Sequence, residues 1–226
     1  MQAEQTGFAL VELFTSEGCS SCPPADKIVE EVQKNYTDKN VLVLGYHVDY
    51  WDKLGWKDIF SDPLFTERQE YYSNIFHLNS IYTPQVVVNG KTEFVGSNKN
   101  KLVNSIDEQL QEKPGSSIKL KANQNNTGKI EVSYSIDNNK SKKDQLILLL
   151  IQKMATNKIK RGENEGSTLY HINIVRKISY LTMPVNEETT EIELPAELKK
   201  EDVFIAGFIQ DRSTGQIKAI LSSPIE

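Results

Sequence analysis

The chain has two cysteines, and they stand two residues apart in Gly18-Cys19-Ser20-Ser21-Cys22-Pro23-Pro24. No other feature constrains the fold as strongly. The pair follows an apolar run, Phe8–Thr15 (FALVELFT), that reads as a buried strand broken only by Glu12. It precedes a helix predicted from Pro24 to Tyr36, with Ile28, Val29, Val32 and Tyr36 on one face. Proline is tolerated there because the first-turn amides lack intrahelical partners. Val41–Val48 (VLVLGYHV) reads as a second buried strand. Strand, helix and strand at this spacing predict a right-handed parallel crossover. Two cysteines are too few for a disulfide scaffold. Closing so short a loop removes about 2 kcal/mol of chain entropy at most. Chemistry is therefore the expected use of the pair, the bland alternative being two buried cysteines that never exchange.

The next elements are an aromatic loop at Asp49–Lys57, a helix over Pro63–Leu78, and Thr83-Pro84 leading into a strand at Gln85–Asn89. Asn89-Gly90 predicts a two-residue hairpin into Lys91–Val95, and a last helix is expected over Asn98–Glu112. This is the element order of the thioredoxin fold. We therefore expect an α/β thioredoxin-like domain over residues 7–113, with Lys113–Ser117 as a linker. Beyond it the pattern changes to short alternating runs: Ile118–Ala122, Ile130–Ile136, Leu146–Ile151, Tyr170–Val175, Ile192–Leu194, Val203–Ile209 and Ile217–Leu221. These predict an all-β sandwich-like domain over residues 118–226. A net charge of −5 does not favour nucleic acid, which calls for a basic face. The longest aliphatic run, Leu146–Ile151, is far short of a membrane span. Met1–Gly7 is polar and reads as a mature N-terminus with an added start Met rather than a signal peptide.

A helix N-terminus lowers a thiol pKa through its free amides and partial positive charge. Cys19 is expected to be the outer, solvent-reachable nucleophile, and Cys22 the resolving cysteine one turn deeper. In the thioredoxin fold the proline at the place of Pro84 is cis and faces the cysteine pair, with Thr83 before it shaping the groove. Glu12 reads equally as a buried proton acceptor for Cys22 or as an outward residue at a strand edge. His47, Asp49, Tyr50 and Trp51 lie at the carboxyl end of the second parallel strand, where ligands gather in open α/β sheets. They are candidates for substrate binding, with loop packing as the alternative. Arg68 and Gln69 read as a solvated or supporting pair.

The stretches VELFTSEGCSSCPPAD, YHVDYWDKLGWKD, YTPQVVVNG followed by VGS, and RGENEGSTLYHINIVR resemble the domain of unknown function 1223 family over nearly the whole chain. The resemblance implies a thioredoxin-like fold and an exported, periplasmic or secreted location. It carries the cysteine role onto Cys19 and Cys22 and the proline role onto Pro84. Gly18 stands where ordinary thioredoxins have tryptophan, and Ser20-Ser21 replaces their Gly-Pro, so the redox potential cannot be borrowed from them. The Arg161–Gly166 loop, with His171, Asn173 and Arg176 after it, reads as a hydrogen-bonded loop or as a cover over the cysteines. Three functions remain open. One is thiol–disulfide exchange with protein or small-molecule thiols, needing no cofactor and an unidentified redox partner. The second is copper or other soft-metal binding through Cys19, Cys22 and His47. The third is a non-catalytic binding module.

Overall fold

A computed structural model describes residues 7–137 and 141–226. The polar leader, Met1–Thr6, lies outside the described residues. Two compact units are present. One holds the chain up to Lys113 together with Met154–Ile174, and the other holds Pro114–Lys153 and Val175–Glu226. Residues 154–174 thus pack with the N-terminal segment rather than with the strands that flank them in sequence.

The first unit runs β1 (Ala9–Thr15), α1 (Pro23–Asn35), β2 (Val41–His47), α2 (Pro63–Ile75), β3 (Gln85–Val88), β4 (Thr92–Val95) and α3 (Lys99–Leu110). β1 pairs in parallel with β2, from Ala9↔Val41 to Thr15↔His47, and antiparallel with β3. β3 and β4 form a hairpin whose register, Val88↔Thr92, leaves three residues in the connection instead of two. Asn89 and Gly90 both take left-handed backbone there, at φ 48° and 63°.

Side chains alternate across β1, and this sets the layers. Ala9, Val11 and Leu13 enter a core with Val29 and Val32 of α1, Val43 of β2, Val86 and Val88 of β3, and Leu102 and Ile106 of α3. Phe14 points the other way, toward α2, where its ring stacks on Tyr46 at 5.4 Å and meets Tyr72 edge-on at 6.2 Å. α2 buries Phe65, Arg68, Gln69 and Tyr72, a helical i, i+3, i+4, i+7 face with two polar members. Arg68 and Gln69 are therefore 2% and 0% exposed, which removes the solvated reading and leaves the supporting one.

The second unit has two antiparallel sheets. One contains β5 (Ser117–Gln124), β6 (Ile130–Asp137) and β9 (Glu188–Ile192), in that order. The other joins β7 (Asp144–Lys158), β10 (Val203–Asp211) and β11 (Ile217–Ser223). Ile118, Leu120, Ile130 and Val132 share one apolar core with Leu146, Leu148, Leu150, Ile205 and Ile209. β9 ends at Ile192, where the expected Ile192–Leu194 run begins.

β7 and β8 (Thr168–Leu181) are far longer than their apolar runs, and each passes from one unit into the other. In the first unit β8 meets β2 in parallel at Gly45↔Ile174. Asn173, at φ 46°, adds a side-chain bond to Val43 O at 2.9 Å. These extensions carry residues 159–167 to the cysteines. Arg176 belongs to the second unit, where it bonds Gln152 and Glu197.

Candidate active site

Cys19 and Cys22 form a disulfide. The turn that holds them is built from local bonds. Ser16 Oγ accepts from Gly18 N, Ser16 O accepts from Cys19 N, and Cys19 O accepts from Cys22 N. Cys22 caps α1, and Pro23 and Pro24 fill its first turn without wasting a donor. Ser21 Oγ lies 3.3 Å from Cys19 Sγ.

Cys19 was expected to face solvent. It is instead 0% exposed, as is Cys22, while Ser20 and Ser21 between them are exposed. The cover comes from the loop between β7 and β8. Asn164 Nδ2 donates to Glu17 O at 2.8 Å and to Cys19 O at 3.0 Å. Glu163 Oε2 accepts from Ser20 N at 3.1 Å, and the Ser20 side chain together with this amide draws the Glu163 carboxyl below its usual range. Gly162, at φ +81°, lies against Gly55, and a Cβ on it would come within 3.1 Å of Trp56 Cβ. Only glycine permits that approach.

The Thr83–Pro84 bond is cis. Trp51 Nε1 donates to Thr83 Oγ1 at 2.8 Å. A Cβ on Gly18 would sit 3.2 Å from Trp51 Cβ, so Trp51 lies against the cysteine turn at the residue before Cys19. On the other side, Gly96 N donates to Pro84 O, and its missing Cβ leaves room for Pro84, Leu13 and Ala25 of α1. Thr83 thus reaches the cysteine turn through Trp51, while Pro84 lies beside Gly96. Burial raises the Tyr50 phenol, partly offset by the neighbouring polar groups of Thr83, Gln69 and Trp51. Asp49 is held by Thr66 of α2, which donates to its carboxylate at 2.6 Å.

Glu12 fits neither reading offered by the sequence. It lies on β1, which has a neighbouring strand on each side, and is 1% exposed. Alternation along the strand sends it to the α2 face, opposite α1 and Cys22. There it accepts from Arg68 Nε at 2.6 Å and from Tyr72 OH at 2.5 Å. The ion pair raises the Arg68 pKa against the effect of burial.

The buried acid next to the cysteines is Glu17, which the sequence reading passed over. Its Oε2 accepts from Trp56 Nε1 at 2.8 Å and from Asn157 Nδ2 at 3.0 Å. Asp58, also missed, accepts from Glu17 N at 2.8 Å and pairs with His47 Nδ1 at 2.7 Å. Burial raises the Asp58 pKa, but His47 and the amides of Glu17 and Phe60 outweigh it, and the net shift is downward. His47 therefore reaches the cysteine turn through Asp58. Its ring meets His171 edge-on at 4.7 Å. His171 lies 3.5 Å from Glu17 and 3.8 Å from Asp26 of α1. Among the described residues no group of three or more His, Cys, Asp or Glu is arranged to hold a metal.

Burial lowers the His171 pKa, but Asp26 and Glu17 overcome this and raise it to about 10. The folded value lies above the ordinary 6.5. Its stabilisation is therefore complete below pH 6.5 and is lost as pH rises toward 10. We expect the stability difference between wild type and His171→Gln, followed by denaturant unfolding, to shrink by roughly a few kcal/mol over that interval. A difference that stays constant with pH contradicts the ion cluster.

The chain matches the family described as "Protein of unknown function (DUF1223)" over residues 10–210. Thioredoxin from Methanocaldococcus jannaschii is 31% identical over 101 residues, which is 44% of this chain and 94% of that protein. The crystal structure of protein AGR_C_4864 from Agrobacterium tumefaciens has the same fold. Its TM-score is 0.70 at 24% identity, over 97% of this chain and 95% of that one. A domain of the outer membrane lipoprotein Omp28 from Porphyromonas gingivalis overlays 50% of this chain and 96% of its own at 17% identity, with a TM-score of 0.30, too low to bear on the fold.

Proposed function

From the premise that the chain belongs to the DUF1223 family, we propose that it is a thiol–disulfide oxidoreductase of the bacterial cell envelope. The observation that carries this reading is the Cys19–Cys22 disulfide at the start of α1, with the cis Thr83–Pro84 bond tied to the same turn through Trp51. The likeness to a thioredoxin over 101 residues supports it. The first unit is then a thioredoxin-like domain, and the second a β-sandwich-like domain appended to it.

In this reading a substrate thiolate attacks Cys19 Sγ, and the S–S bond breaks. Cys22 leaves as a thiolate, favoured by the partial positive charge at the N-terminus of α1. A second substrate thiolate attacks the mixed disulfide and releases Cys19. The pair gains two electrons and the substrate is oxidised to a disulfide; the reverse sequence reduces a substrate. Ser21 Oγ, 3.3 Å from Cys19 Sγ, donates to the thiolate form. Thr83, Pro84, Tyr50 and Trp51 shape the groove, and His47 and Asp58 hold the approach to the cysteine turn. Protein or small-molecule thiols in an oxidising compartment outside the cytoplasm are the partners. Among the described residues no helix is long and apolar enough to cross a membrane.

The test is turnover. The protein should transfer electrons between a dithiol and a protein disulfide several-fold faster than the dithiol alone. A rate no faster than the buffer contradicts the reading.

A further inference from the structure

The disulfide is fully buried, yet exchange requires a collinear approach to one sulfur. We propose that residues 159–167 form a latch over the cysteine pair, held by Asn164, and that exchange at Cys19 proceeds only after this latch releases the cysteine turn. The inference rests on the exchange reading above.

The latch is compact in its own right. Ile159 N bonds Ser167 O, Gly166 N bonds Ile159 O, Ser167 N bonds Asn164 O and Glu165 N bonds Gly162 O. Its base is therefore closed, and it can move as a piece. Gly162 and Gly166, at φ +81° and +82°, are the positions where the backbone turns. Its attachments to the cysteine turn are few and specific: two hydrogen bonds from Asn164 and one to Glu163. Asn164 is buried, whereas Arg161, Glu163, Glu165 and Gly166 around it are exposed. The loop thus carries two buried side chains, Ile159 at its closed base and Asn164 on the cysteine turn, within a solvated rim. Three polar contacts between a largely solvated loop rim and the cysteine turn are few enough for reversible opening while the core strands stay paired.

The chemistry that depends on opening is balanced. A dithiothreitol thiolate attacks Cys19 Sγ, the Cys19–Cys22 bond breaks, and Cys22 carries away the electron pair. The second thiol of the reagent, once deprotonated, closes its ring and expels the Cys19 thiolate. Two electrons pass from reagent to protein, and the protons of the reagent's thiols pass to solvent or to the new cysteine thiols.

The experiment measures how fast dithiothreitol reduces the oxidised full chain at neutral pH, with new thiols trapped by alkylation and counted by mass. The same chain in guanidinium supplies the rate of an uncovered disulfide. We expect the folded wild type to react at least about a hundredfold more slowly than the unfolded chain. Asn164→Ala should react roughly thirtyfold faster than wild type, the factor that two hydrogen bonds of ordinary net strength represent. Glu163→Gln, at an exposed position, keeps the fold and should react about threefold faster.

A folded wild type as fast as the unfolded chain overturns the latch and leaves the exchange reading intact. Variants that are folded but no faster than wild type also overturn it. Should Asn164→Ala fail to fold, Glu163→Gln decides alone. A pair that cannot be reduced in wild type or variant overturns both the latch and the exchange reading.

Discussion

Cys22→Ser should leave a protein that attacks substrate disulfides but cannot let go. With Cys19 as the only thiol, attack on a mixed or protein disulfide forms an intermolecular bond, and the resolving sulfur is missing. Turnover should fall to the background of the dithiol alone. A stable adduct should appear in the mass spectrum, heavier by the mass of the substrate thiol and removable by excess reductant. Cys22 is fully buried at the start of α1, and serine is nearly isosteric, so the loss is chemical rather than structural. Wild-type turnover in this variant, or attack without any adduct, contradicts the assignment of Cys19 as nucleophile and Cys22 as resolver.

The largest effect on stability is expected on the other face of β1. Arg68→Met should cost about 3–5 kcal/mol, because it leaves the Glu12 carboxylate buried with Tyr72 but without its cation. For a chain of this size that lowers the melting temperature by roughly 10 °C. The double change Glu12→Leu with Arg68→Met should recover most of the loss, since an apolar pair of similar volume removes the uncompensated charge. Thermal and denaturant unfolding of the three variants checks both results. A single Arg68→Met variant within about 1 kcal/mol of wild type contradicts the buried pair.

How far the sequence reveals this molecule depends on the range over which each feature is encoded. Strand, Cys-x-x-Cys, helix and parallel strand are local patterns, and β1, α1 and β2 fall within a residue or two of their predicted limits. The cis Thr83–Pro84 bond followed from the element order. The partner of Glu12 lies 56 residues along the chain, and nothing about Arg68 on a helix of mixed polarity marks it as buried. Cys19 looked accessible because its neighbours Gly18, Ser20 and Ser21 are small or polar. Its cover arrives 145 residues later, on Asn164. The sequence offered the Arg161–Gly166 loop as a hydrogen-bonded loop or as a cover and could not decide between them, because β7 and β8 continue well beyond their apolar cores into Gln, Lys, Thr and Asn. Ladder hydrogen bonds rather than side-chain burial maintain the strands there. Glu17 and Asp58 carry no spacing signal at all. They matter because the folded chain gathers them with His47 and His171.

The measurement that bears most directly on the proposed function is the reduction potential of the Cys19–Cys22 pair, taken in metal-free glutathione buffers with trapping of free thiols. The proposal predicts a reversible couple between roughly −120 and −270 mV, the range of working oxidoreductases. A pair that closes only far below about −300 mV, or never opens and closes reversibly, would make the disulfide structural and contradict the exchange reaction.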